Sequence, residues 1–171
     1  MNNPVTEFFR NKYLNVRFRK LADDSASMDF SVALGAVEKV LVLLSGDPDG
    51  NEALTGFLKQ LSRLFDGGHV ATFSMDTLRK DDMTWLGIPQ QRYLDSIRSE
   101  QYDLLIDIVD PPTHISSYIS ALSGAPLRLN LYDNPWAHVY NLHFRMDASR
   151  KLDEQLNNIL RYLKTLKKTE K

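Results

Sequence analysis

The chain has 171 residues, 43% hydrophobic and 25% charged, with a formal net charge of −1 and no cysteine. This suits one domain with extensions, excludes disulfides, thiol nucleophiles and cysteine-ligated metals, and gives no bulk attraction to nucleic acid or an anionic membrane. No apolar run approaches the roughly 18–20 residues of a membrane span, and the N-terminus lacks a signal peptide's apolar core, so a cytoplasmic location and no nucleic-acid partner are expected.

Thr6 is placed to cap a first helix, in which Val5, Phe8, Phe9, Tyr13 and Val16 recur at helical spacing, with Phe18 off that stripe. Arg10, Lys12, Arg17, Arg19 and Lys20 make the segment basic. One reading is an arm that docks on a membrane surface or an acidic partner. The plainer one is a helix packed on its own domain with a solvated basic face. Residues 23–36 are small and polar and read as a linker. Residues 1–36 are thus a basic helix plus linker, and residues 37–171 the main domain.

Residues 40–44, VLVLL, form an unbroken apolar run bounded by the turn formers of residues 45–50. Such a run reads as a strand buried on both faces. Leu54, Phe57, Leu58, Leu61, Leu64 and Phe65 then mark one face of a helix, closed by Asp66, Gly67 and Gly68. Residues 69–75 are the second strand, and so short a β-α-β connection implies parallel strands. Residues 76–82 read as a loop, 83–87 as a short edge strand, 90–101 as a helix and 102–109, YDLLIDIV, as a strand halted by Pro111 and Pro112. Thr113 caps a helix carrying Ile115, Tyr118, Ile119 and Leu122. Residues 126–132 alternate like a strand with one solvated face, and residues 140–146 form a further short strand. Ser149 begins a last helix with Leu152, Leu156, Ile159, Leu160, Leu163 and Leu166 on one face, fraying over residues 167–171. The pattern predicts an α/β fold: a three-layer Rossmann-like domain with a mainly parallel sheet of about five to six strands plus an N-terminal helix. The first strand should lie beside the YDLLIDIV strand, with a crevice between the turns at residues 46–50 and 110–113.

Ligands of such folds sit at the strands' carboxyl ends, so Ser45, Gly46, Asp49, Asp110 and Thr113 are the candidate binding residues. The turn after the first strand has glycines only at Gly46 and Gly50, which fits neither G-x-G-x-x-G nor a P-loop, and the aspartates oppose a phosphate. An EF-hand loop fails on glycine position. Either Asp49 or Asn51 caps the next helix, or Asp47 acts as a general base. Asp107 inside the YDLLIDIV strand is costly unless hydrogen-bonded or paired, though a capping or loop role is the plainer one. His114 reads as a solvated surface histidine. His138, His143 and Asp133 match no metal-ligand spacing; Trp136 either stacks on a sugar or base or, the plainer reading, seals the end of the sheet. No cofactor and no metal are expected.

Residues 39–47, KVLVLLSGD, followed by YDLLIDI and then ISALSGAPLRLNLY, resemble the N-terminal half of bacterial heptosyltransferases of the GT-B glycosyltransferase fold. The resemblance spans roughly residues 39–131 and implies a catalytic-base role for Asp47, within a Gly46-Asp47 pair followed here by Pro48 and Asp49. In that family the donor is bound chiefly by a C-terminal domain, which would begin where this chain ends. Nearly the whole chain also resembles a group of short bacterial proteins with a basic N-terminal helix, one such half and no assigned activity. The expected function is that of a non-catalytic domain for interaction or small-ligand binding, with a homodimer or a partner protein covering exposed apolar surface. The alternative is a glycosyltransferase-like enzyme acting on a sugar or nucleotide, alone or completed by a partner subunit.

Overall fold

A computed structural model of the chain describes residues 3–22, 28–145 and 150–167. The expected linker residues 23–27, the Lys20 side chain, the strand end at Met146, the helix start at Ser149 and the tail 168–171 lie outside the described residues.

The apolar runs become strands β1 Lys39–Leu44, β2 His69–Ser74, β3 Leu104–Asp107, β4 Leu127–Asn130 and β5 Leu142–His143. All are parallel, in the order β2-β1-β3-β4-β5. The helices are α1 Pro4–Ala22, α2 Phe30–Gly35, α3 Glu52–Leu64, α4 Gln91–Ser99, α5 His114–Leu122 and α6 Leu152–Lys167. This is a Rossmann-like α/β fold in which β1 lies beside β3, so the order of the sheet reverses between them.

Both faces of the central strands are covered, which is why they read as continuous apolar runs. Val40, Val42, Leu44, Leu104 and Ile106 pack with Leu34 of α2, Phe57 of α3 and Ile159 of α6. Leu41, Leu43 and Leu105 point the other way, onto Ile97 of α4 and Ile119 of α5. Helix α1 adds a further layer, its Leu14 and Phe18 packing with Leu94, Tyr118, Leu122 and Val139.

Local chemistry sets the joints. Asp103, just before β3, accepts from the amides of Glu38 and Lys39 at 2.9 and 2.8 Å and so pins the start of β1. Asn51 caps α3, accepting from the amides of Ala53 and Leu54. A Cβ at Gly68 would lie 2.7 Å from the Glu38 carbonyl, so only glycine permits the entry to β2.

Five expectations need correction. Helix α1 already begins at Pro4, where Asn3 Oδ1 accepts from the Val5 amide at 3.0 Å, so Thr6 lies inside the first turn and does not cap it. The inward face of α1 carries Arg10, Leu14 and Phe18, all buried, whereas Val5, Phe8, Phe9 and Val16 are exposed. The stronger apolar stripe therefore faces away from the core. Residues 30–35 are helix, not linker, because Asp29 caps the turn and Leu34 has a hydrophobic seat. Residues 83–87 form no strand; Met83 makes a single antiparallel bridge to Pro89. The polar face of β4 is not solvated: Arg128 donates to the carbonyls of Val139 and Ala125, and Asn130 is buried.

The α1 register is testable by thermal or urea unfolding. Phe18→Ala should cost about 3–5 kcal/mol by opening a cavity. Phe8→Ala, on the exposed side, should stay within about 0.5 kcal/mol. Equal effects would contradict the packing of α1.

Candidate functional site

The carboxyl edge of the sheet brings Leu43, Asp107, Asn130 and His143 into one row across β1, β3, β4 and β5. Asp107 shares the orientation of Leu105, toward α5. It is 3% exposed. The Tyr140 hydroxyl donates to Asp107 Oδ2 at 2.5 Å, and the Val109 amide donates to Oδ1 at 3.1 Å. The Tyr140 oxygen also lies 3.3 Å from Ser117 Oγ, which accepts from Asn134 Nδ2 at 2.8 Å. Burial pushes the Asp107 carboxyl above its ordinary value of 3.8, partly offset by these hydrogen bonds. Burial, with the neighbouring Asp107, raises the Tyr140 phenol well above 10. A carboxyl and a phenol sealed from water cannot exchange protons with a substrate while residues 134–140 stay closed. What the pair does is fasten that loop to β3 and α5.

Beside this network lies an open cavity of about 260 Å³ lined by Asn130, Tyr132, Asp133, His143, Phe144 and Arg145. His143 Nδ1 donates to Asn130 Oδ1 at 2.7 Å. The Tyr132 phenol is pushed up to about 12, by burial first and then by Asp110. His138 stacks edge-on against Phe18. Among the described residues no cluster of three His, Asp or Glu side chains is arranged to hold a metal. On the far side of the sheet a groove of about 850 Å³ runs between α3 and α6, with Arg63, Arg161 and Lys164 on its rim. Its Lys167 is already engaged, donating to the Leu64 carbonyl and Asp66.

The outer surface of α1 is the other feature. At about 100° per residue, Val5, Phe8, Phe9, Lys12, Val16 and Arg19 fall on the arc opposite Arg10, Leu14 and Phe18. Of the eight large apolar side chains exposed among the described residues, five are Val5, Phe8, Phe9, Val16 and Trp85. Trp85 is 73% exposed, and its ring centroid lies 6.4 Å from that of Phe9. Among the described residues no helix is long and apolar enough to cross a membrane.

A family model described as a family of unknown function, DUF6913, matches residues 7–166. The chain belongs to this family. No curated protein matches it. The DUF6913 match takes in nearly all of α1 together with the whole sheet, so helix and α/β domain fall within one family unit.

The residues expected to bind ligand are partly dispersed. Asp47 is exposed and accepts from the Asp49 amide at 3.0 Å, capping the 3-10 turn Pro48–Gly50. Gly46 takes φ +81° and donates its amide to Asp76 Oδ2 at 2.7 Å, tying the turn after β1 to the loop after β2. Ser45 and Asp49 are exposed. Asp110 is exposed but engages Tyr132, and Thr113 caps α5, accepting from the Ser116 amide at 3.0 Å. His114 is not a solvated histidine. Its Nε2 donates to the Gly87 carbonyl at 2.9 Å, and burial lowers its pKa. Sequence reasoning missed Tyr140, Ser117, Asn134 and Trp85. Only Trp85, a large aromatic in the segment read as a short edge strand, left a signal that local reading could have used.

The Asp107 pair predicts a pH signature. Its folded-state pKa is raised, so the folded chain holds this proton more tightly than the unfolded chain. Its contribution to stability is therefore fully present below the unfolded value and is lost as pH rises through the folded one. Asp107→Asn removes the titration yet can still hydrogen-bond Tyr140. Urea midpoints from pH about 4 to 8 should show wild type losing stability relative to Asp107→Asn as pH rises. A flat difference would contradict a buried, proton-retaining carboxyl.

Proposed function

We propose that this chain is a non-catalytic domain that docks on an anionic membrane surface, at its cytoplasmic face, through the outer side of α1 and Trp85. The observation that carries this is the Val5, Phe8, Phe9, Val16 and Trp85 patch, exposed on a helix whose opposite side is locked into the core. Lys12 and Arg19 share that arc, and the helix's one acid, Glu7, lies off it toward Arg10. Aromatic side chains mixed with basic ones suit the interface of anionic lipid. In a twofold dimer centred on the same patch Lys12 would face its own copy across the axis, and those like charges disfavour it. Asp47, which caps the turn after β1, fits the non-catalytic half of the reading.

Co-sedimentation with vesicles tests it. The chain should pellet with phosphatidylcholine–phosphatidylglycerol vesicles and not with phosphatidylcholine alone, with weakening at high salt. The variant Phe8→Ser, Phe9→Ser, Trp85→Ser should melt like wild type and stay in the supernatant. Failure to pellet, or equal pelleting of the variant, overturns the proposal. A concentration-dependent dimer that the same variant abolishes would replace the membrane by a second copy.

The glycosyltransferase-like alternative meets its own test at Asp47. Asparagine is an equally good turn residue there, so Asp47→Asn should leave stability unchanged. Turnover of a nucleotide sugar that this variant loses, by a general-base factor of ~10²–10⁴, would favour the enzyme instead.

A further inference from the structure

A cavity of about 610 Å³ lies between the first turns of α1 and residues 80–87. Its lining includes Arg10, Lys80, Met83, Thr84, Trp85 and Leu86. Arg10 is 7% exposed. Among the described residues four buried side-chain polar atoms have no hydrogen-bond partner, and two of them, Arg10 Nε and Thr84 Oγ1, belong to residues lining this cavity. A buried guanidinium is costly unless it is paired and hydrogen-bonded. The acid nearest to it, Glu7, stands 4.0 Å away with a side chain 53% exposed, so water screens most of its compensation. Glu7 and Asp81 also line the cavity, but both lie on its exposed rim, whereas Arg10 lies in its buried part. The backbone of Gly87, at φ +70°, passes close: a Cβ there would stand 3.8 Å from Arg10 Nη1.

We infer that this cavity binds a phosphate monoester, the phosphate held by Arg10 and Thr84 and the ligand's apolar body lying toward Met83, Trp85 and Leu86. A guanidinium offers Nε–H and one Nη–H as parallel donors to two oxygens of one anion, and Nε is a buried donor without a partner here. The Thr84 hydroxyl supplies a further donor, and Lys80 at the mouth adds charge against a group carrying about −1.5 to −2 at neutral pH. The volume lies within the usual range for small-molecule sites and exceeds what a bare phosphate fills. Arg10 faces inward from α1 rather than along the outer stripe, so the anion-holding end of the cavity is distinct from the docking surface, with Trp85 bordering both.

Titration calorimetry of the full chain with phenyl phosphate tests it. Saturable binding is expected, weakened roughly tenfold or more by Arg10→Gln, which removes a charge-assisted donor pair. Thr84→Val should also weaken binding while melting no lower than wild type, because the unliganded hydroxyl has no partner to lose. Glu7→Gln should tighten binding by removing a competing carboxylate. No saturable heat up to millimolar ligand, unchanged affinity in Thr84→Val, or weaker binding in Glu7→Gln would each overturn the inference; if Arg10→Gln fails to fold, the other two variants decide. Vesicles then distinguish the source. Preference for phosphatidic acid, a monoester, over phosphatidylglycerol at equal charge assigns the site to a lipid headgroup. Phenyl phosphate binding without that preference assigns it to a soluble phosphorylated molecule. Failure of membrane docking would appear separately, as no pelleting with phosphatidylglycerol.

Discussion

From Ser116 to Leu122 every residue of α5 is buried, and a helix in that position needs cover on both sides. The sheet supplies one side through Leu41, Leu43 and Leu105, and α1 supplies the other through Leu14 and Phe18. This requirement fixes the rotation of α1 about its own axis. Once Leu14 and Phe18 turn inward, Phe8 and Phe9 fall on the opposite side and point outward, while Tyr13 stays at the edge of the packed face against Tyr118. The exposed Phe8 and Phe9, and the placing of Arg10 beneath residues 80–87, are consequences of covering α5. The surface character of the chain is thus set by a need of its interior.

Serines at 116, 117, 120 and 123 make the same helix polar as well as buried. Each such hydroxyl must find a partner or remain a cost. Ser117 joins Asn134 and Tyr140, and Tyr140 reaches Asp107, so one polar chain crosses from α5 through the 134–140 loop to the middle of the sheet. Its effect is positional. It holds a loop that contributes Val139 to the seat of α1, and so links the sheet's carboxyl edge to the outermost helix.

Much of the fold was legible because the signals were local. Residues 40–44 are apolar without a break, and their burial on both faces follows from that run. Asn51 caps α3 by side-chain chemistry that operates within three residues. Where the reading failed, the deciding contact was distant or the pattern carried two answers. Helix α1 is apolar on two arcs, and the stronger one, with Phe8 and Phe9, outweighs Leu14 and Phe18 in any single-helix count. Helix α2 is six residues long and begins among serines and aspartates, so the Asp29 cap needs the distant pocket for Leu34 to make it a helix. Asp107 was visibly costly, but its partner Tyr140 lies 33 positions further on, and nothing local joins them. Arg10 reads as one more surface cation until Phe18 sets the register.

The seat of α1 has a bearing on how the molecule is made. Its partners, α5 and the 3-10 turn Ala137–Val139, lie roughly a hundred residues downstream, so this long-range contact can close only late in synthesis. The helix leaves the ribosome before the surface it needs exists. Until α5 has docked on the sheet, both apolar arcs of α1 are open to solvent, and Leu14 and Phe18 are as available to a chaperone as Phe8 and Phe9. Completion of the fold hides one arc and leaves the other, so the finished domain still displays part of what the nascent chain displayed in full.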